Sequence, residues 1–144
     1  MNVLTTIKEL KGNRTIFNIY VDGKPLSHHF SGRLGFHPSE ISPLGWSTAS
    51  KKHRTEIVAQ FLGEKPSELD SKRVPVLVCE ECGDLGCGAI AVRIILEGEH
   101  VKWTDWYYEN GYEPGHKITW RTWPSDFEFE FSLYKSEIHK TLEK

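Results

Sequence analysis

Apolar and polar residues alternate through much of this chain, and the period of that alternation predicts most of its elements. "NVLTTIKEL" and "RTIFNIYVDG" alternate with β-branched content, and "KGN" stands between them. Gly and Asn accept positive φ, so this reads as a β-hairpin. Ile16, Ile19 and Val21 do not share one strict parity, and "VDGKPL" closes the second strand in a turn. Residues 25–53 lack a clear period and are interrupted by Pro25, Pro38, Pro43, Gly32, Gly35 and Gly45. A stretch of this kind is either short helical turns or a long loop, and long loops often carry function.

"TEIVAQFLGE" predicts a short helix. Thr55 is the candidate N-cap, Ile57, Val58, Phe61 and Leu62 form the apolar stripe, and Gly63 stops it. "VPVLVC" and "GAIAVRIILEG" are nearly continuous apolar runs, as strands covered on both faces are. "EGE" is a turn candidate, and "HVKWTDWYY" alternates. "ENGYEPG" is rich in turn residues, and "KITWRTW" reads as a further short strand. In "DFEFEFSL", Phe127, Phe129, Phe131 and Leu133 fall on one face and Glu128 and Glu130 on the other. "YKSEIHKTLEK" closes the chain as a helix. Successive strands joined by short turns predict an α+β fold, a mainly antiparallel meander sheet with one or two packed helices. The 144 residues suit a single domain over 1–144.

The net charge of −2 hides an asymmetry. Residues 1–60 carry eight Lys/Arg against four Asp/Glu, and residues 61–144 carry ten against sixteen. An acidic half argues against direct nucleic-acid binding, which needs a basic patch, and suits a basic protein partner. Such a charge run equally serves as a solvated surface. No apolar run reaches the ~20 residues of a membrane helix. The N-terminus lacks the basic start, apolar stretch and cleavage site of a signal peptide, so a cytoplasmic location with reduced thiols is expected.

All three cysteines fall in "VCEECGDLGCGAIAVRI". Cys79, Cys82 and Cys87 could supply three zinc ligands, but a structural site needs a fourth, and none lies nearby in sequence. Glu80, Glu81 and Asp84 oppose a reactive thiolate, and Gly83, Gly86 and Gly88 oppose a helix immediately after the Cys-x-x-Cys pair. The favoured reading is a tight strand-loop-strand connection with acids at its rim and no cofactor. A zinc- or thiol-dependent protein is the alternative.

"CGDLGCGAIAVRI", followed by "VKWTDWYYENGY", resembles a group of small bacterial proteins. They share a Cys-Gly-Asp-x-Gly-Cys-Gly element and a Trp-rich strand ending in an aromatic-Glu-Asn turn. The resemblance covers about residues 76–112 and carries no reaction. Some of these proteins look like immunity proteins of toxin systems such as contact-dependent growth inhibition. That implies a non-enzymatic protein that neutralises a cognate toxin domain by direct binding, and a nuclease with a basic groove would be one such partner.

Other constellations are weaker. His28, His29, His37 and His53 could cluster, but without metal-ligand spacing they read as exposed loop residues. No nucleophile elbow, P-loop or dinucleotide motif occurs, and Asp105 and Glu109 have no evident partner base for acid–base work. Alternation places Trp103 and Tyr107 on one face and Trp106 and Tyr108 on the other. One face serves the core, and the other either presents aromatics among acids, as interface hot spots do, or is covered in turn and is simply core. The candidate partner-binding residues are therefore Glu80, Glu81, Asp84, Asp105, Trp106, Tyr108, Glu109 and Glu113.

Overall fold

The computed structural model describes residues 1–30, 39–79, 88–109 and 124–142. Strand β1 (Leu4–Lys11) turns through Gly12-Asn13 into β2 (Arg14–Val21), with Lys11 opposite Arg14. Gly12 has φ +63, at the loop position that a II′ turn reserves for glycine. The next turn, Asp22-Gly23, has both residues at positive φ and pairs Val21 with Lys24 of the short β3 (Lys24–Pro25). A single 3-10 turn follows at Leu26–His29. These three strands form one antiparallel sheet.

The second sheet is antiparallel throughout, in the order β4 (Ser39–Ile41), β5 (Val74–Cys79), β6 (Ala89–Glu97), β7 (His100–Glu109), β8 (Phe127–Glu130). Helix α1 (Lys51–Phe61) lies between β4 and β5 in sequence, and α2 (Phe131–Lys140) follows β8 directly. With two helices and two antiparallel sheets the fold is α+β, as the periodicity predicts. No helix among the described residues is long and apolar enough to cross a membrane.

The N-terminus joins the two sheets. The Asn2 amide donates to the Glu128 carbonyl (2.8 Å), and the Asn2 side-chain oxygen accepts from the Glu128 amide (3.0 Å). Asp22 accepts from the Asn2 side chain and the Val3 amide, both at 2.8 Å, and these two bonds hold its carboxyl below the usual range. Between the sheets and the helices lies one large apolar cluster built on Ile19, Val21, Phe61, Leu77, Val92, Trp103, Phe129 and Tyr134. A smaller cluster of Ile16, Ile41, Trp46, Val78 and Ala89 covers other positions of β2, β5 and β6. The mixed parity of Ile16 against Ile19 and Val21 thus reflects a strand buried on both faces.

Two boundaries differ from the sequence expectation. Helix α1 starts at Lys51, four residues before Thr55. Its cap is Ser50, whose hydroxyl accepts from the His53 amide (3.1 Å), while Thr55 donates back to the Lys51 carbonyl within the helix (2.8 Å). The stop is as expected: Gly63, at φ +73, follows the C-cap Leu62. At the other end, the alternation through Phe131 and Leu133 is not a strand. Glu130 accepts from the amides of Ser132 (2.9 Å) and Leu133 (3.1 Å), which caps α2 at its first residue and leaves Leu133 exposed. Those bonds, the one from Leu133 foremost, hold the Glu130 carboxyl below its usual range. A carboxylate that satisfies two orphan helix amides outweighs a two-residue extension of the strand pattern.

Trp103 is the centre of the aromatic core, edge-on to Phe61, Trp106, Phe129 and Tyr134. Its indole N–H donates to the Tyr134 hydroxyl (3.2 Å), which donates in turn to the Phe61 carbonyl (2.6 Å) at the end of α1. Burial drives the Tyr134 phenol far above its ordinary value, so it stays a neutral donor. Tyr134→Phe should leave the indole donor and the carbonyl unpaired in the core, at a cost of about 1–3 kcal/mol. Denaturant titration would read this as a lower midpoint at unchanged slope; a midpoint equal to wild type would show that the relay adds nothing to stability.

Candidate functional site

The cysteine-bearing element leaves the sheet at Cys79 of β5 and returns at Gly88, ahead of β6. Its two ends are closed by the pair Val78–Ala89. Cys79 is buried at the end of its strand, as the small-hydrophobe reading expects, and it is a free thiol. Cys82, Cys87, Glu80, Glu81, Asp84 and Glu113 lie outside the described residues, as do His37, the "KITWRTW" segment and nearly all of "ENGYEPG". Among the described residues no group of three or more His, Cys, Asp or Glu side chains is placed to hold a metal ion. Of the histidines, His29 is structural: its Nε2 bonds the Val21 carbonyl (2.9 Å) and its ring meets Phe127 edge-on.

The polar chemistry of this sheet is set by an irregularity in β7. The ladder between β6 and β7 runs from Ala91–Tyr107 to Arg93–Thr104, so Asp105 and Trp106 together oppose Val92. This is a β-bulge. Asp105, its first residue, has φ +65, a conformation usually left to glycine but tolerated by Asp. The extra residue inverts the alternation beyond it. Trp106 therefore joins Trp103 in the apolar core instead of facing away from it. At 2% exposure Trp106 is not part of an exposed aromatic face, which corrects the expectation from strict alternation. Tyr108 is half-buried and packs against the same core.

The bulge is held by Arg73, which sits one residue before β5 and is 8% exposed. Its Nε donates to the Asp105 carbonyl (3.0 Å), and its Nη2 donates to the Asp105 carboxylate (2.7 Å). Its Nη1 lies 3.8 Å from Glu109, and its guanidinium stacks on the Tyr107 ring at 3.6 Å. Arg93 of β6 donates a second bond to the same Asp105 oxygen (3.0 Å). Glu109 also departs from expectation: it is buried, with both carboxylate oxygens accepting from the Ser71 hydroxyl (3.0 and 2.9 Å). Asp105 and Glu109 are thus parts of one ion-pair network. Each is bound by a cation, and the two arginines balance the two acids. Burial raises the Asp105 carboxyl, but the hydrogen bonds from Arg73 and Arg93 outweigh it and hold the group below its usual range.

Arg73, Arg93, Ser71 and Tyr107 are the residues that sequence reasoning missed. A signal existed for Arg93, a lone cation inside the apolar run "AIAVRIIL", which implies a carboxylate partner nearby. Arg73 stood at the end of a polar connector and looked like surface.

Gly88 completes the site. Its φ is +92, and a side-chain β-carbon added there would run into the Tyr108 phenol, within 3.0 Å of Cε2 and closer still to the hydroxyl. The glycine that ends the cysteine element and the aromatic strand that follows are therefore packed on each other. Burial raises the Tyr108 phenol above its ordinary value, so it remains neutral.

Comparison of the chain with protein-family models, with curated proteins and with solved structures finds no significant match.

Proposed function

We propose that the chain is a non-enzymatic binding protein of the immunity type, acting in the cytoplasm by seating on a cognate toxin domain and blocking it. The observation that supports this reading most is the Ser71–Glu109–Arg73–Asp105–Arg93 network. It ties the residues ahead of β5 and the middle of β6 to β7, and through Glu109, which pairs with Ala89, it extends to the end of the sheet where the acidic connection returns. Its polar groups are engaged with each other, so the assembly acts as a platform. A rigid base lowers the ordering cost of presenting Glu80, Glu81 and Asp84 to a partner. On this reading Asp105, Glu109, Trp106 and Tyr108 position the surface from beneath, and the contacts fall to the acids of the connection and to Glu113. An acidic rim of this kind competes with a phosphate backbone for the basic groove of a nuclease toxin.

A pull-down from the native host with the wild-type chain as bait identifies the partner. Replacing Glu80, Glu81 and Asp84 together by Ala should then lower its affinity about tenfold or more, with most of the effect on association rate and salt dependence. Equal affinity and equal salt dependence would sink the assignment. Elemental analysis of the same preparation tests the alternative, because zinc near one ion per chain, lost in Cys79→Ser, would point to a metal-dependent protein.

A further inference from the structure

Among the described residues, the first sheet has an open edge. β1 pairs with β2 on one side only, and along an antiparallel strand the backbone groups point alternately toward the partner and away from it. Thr6 fixes the phase. Its N–H donates outward to Glu137 of α2 (2.7 Å), and its carbonyl accepts from Lys140 (2.9 Å). By the period of two, the N–H and C=O of Lys8 and Leu10 point the same way, and α2 does not reach them: no hydrogen bond from another described residue meets those groups. Beside them Ile7 (46%) and Leu10 (72%) are exposed, one on each face of the strand. On the far side of the hairpin the equivalent groups are covered, by Leu44 and Ser47 against Phe17 and Thr15.

The charges beside this edge select its occupant. Lys8 and Lys11 lie on the edge strand itself, and Lys140 reaches the Thr6 carbonyl beside it, while Arg14 sits on β2 and stacks on Trp46. The two neighbouring acids are already engaged, Glu9 by Asn18, Tyr20 and Lys11, and Glu137 by Thr6 and Lys140. Lys8 has no carboxylate partner among the described residues. A second copy of the chain fits poorly. Two-fold pairing of β1 with itself centred on Lys8 or Glu9 sets like charges directly opposite, which is destabilising, and centring on Ile7 needs the outward groups of Thr6, which α2 already holds. Centring the pair on Leu10 avoids this but runs into the turn at Gly12. We propose that the Lys8–Leu10 edge of β1 docks an extended, acidic segment of another protein by strand addition, with acids facing Lys8 and Lys11 and apolar residues facing Ile7 and Leu10. Main-chain bonds supply affinity and the alternating side chains supply selectivity. This surface does not depend on the toxin reading above.

The probe is a synthetic peptide, Ser-Glu-Val-Thr-Glu-Val-Ser, added to the isotope-labelled full chain. Saturable shifts and slowed hydrogen exchange at the Lys8 and Leu10 amides are expected, with the Ile7 and Glu9 amides already protected by β2. Replacing both Glu residues of the peptide by Lys should weaken binding about tenfold. Leu10→Pro removes one outward N–H and leaves the β2 ladder intact, so it should weaken binding by a similar factor, about that of one lost hydrogen bond. Lys8→Glu, which keeps the edge and inverts its charge, tests the same point without proline. The proposal is overturned by unaltered exchange at Lys8 and Leu10, by equal affinity for the Lys peptide, or by full affinity in a Leu10→Pro chain whose melting is unchanged. Protection of those amides that grows with protein concentration in the absence of peptide would show that the occupant is a second copy, and would overturn it too.

Discussion

Arg73→Met is expected to destabilise the protein by about 3–5 kcal/mol, the scale seen when one partner of a buried ion pair is removed. At this chain length that corresponds to a fall in melting temperature of about 10–15 °C. The loss comes less from the missing bonds than from what remains. Glu109 is 5% exposed and among the described residues would keep only its Ser71 bond, and the Asp105 carbonyl and carboxylate would lose their main donor. Met preserves much of the contact with Tyr107, so the experiment isolates the charge. Arg73→Lys should fail to rescue fully, because an ammonium cannot reproduce the fork that spans Asp105 and Glu109. Arg73→Met with Glu109→Leu should recover part of the loss, since a buried pair replaced on both sides by apolar groups is often neutral. A single Arg73→Met variant within about 0.5 kcal/mol of wild type, the range of inert surface changes, would show that the network is not what holds the bulge. The effect is also pH-dependent with a fixed sign. Asp105 is held below its ordinary value of 3.8, so it contributes stability above that value and loses it as pH falls through the lower folded one. The gap between wild type and Arg73→Met should therefore narrow in acid below about pH 4.

The parts of the fold that were legible from the sequence are those where local chemistry and burial agree. The β1–β2 hairpin needed only Gly12-Asn13 between two β-branched runs, and β5 and the first half of β6 needed only their apolar runs, whereas Ile95 and Leu96 in the second half of β6 are exposed and not covered on both faces. Gly63 marked the end of α1 because the position after a helix C-cap takes positive φ more readily than any side chain allows. The failures share one cause: a polar group acting across the fold or just outside the pattern. Glu130 belongs to the strand by parity, yet its carboxylate reaches the amides of Ser132 and Leu133 and turns the chain into a helix. Ser50 lies upstream of any apolar stripe, so α1 extends a turn earlier than periodicity shows. Asp105 carries no local sign that it takes positive φ, because what stabilises that conformation is Arg73, 32 positions away in sequence. One bulge then moves Trp106 from the outer face to the core and carries the following residues with it. The exposed aromatic face inferred from alternation assumed a regular ladder, and a two-residue period cannot register an insertion in only one of its strands.

Among the described glycines, Gly88→Ala should be the most damaging substitution. Two costs combine. At φ +92 an alanine is strained by about 1–3 kcal/mol whatever surrounds it. The new methyl group also collides with the Tyr108 phenol, which is half-buried against the core and cannot simply swing away. The two costs separate in a double-mutant cycle. Tyr108→Ala removes the obstructing ring but leaves the backbone angle, so in that background Gly88→Ala should retain only the strain, and the coupling between the sites should be about 1–3 kcal/mol. Tyr108→Phe removes the hydroxyl, the atom nearest the added methyl, and should recover an intermediate share. Additive effects, with no coupling, would mean that the ring yields freely and that packing between Gly88 and Tyr108 does not fix the loop. If coupling is found, its consequence extends beyond stability. The glycine closes the connection that carries Glu80, Glu81 and Asp84, and the tyrosine stands on the strand whose bulge Arg73 secures. A chain destabilised at Gly88 but still folded should then lose partner affinity along with stability, whereas Arg93→Gln, which leaves the Arg73 clamp on the bulge in place, should keep more of it.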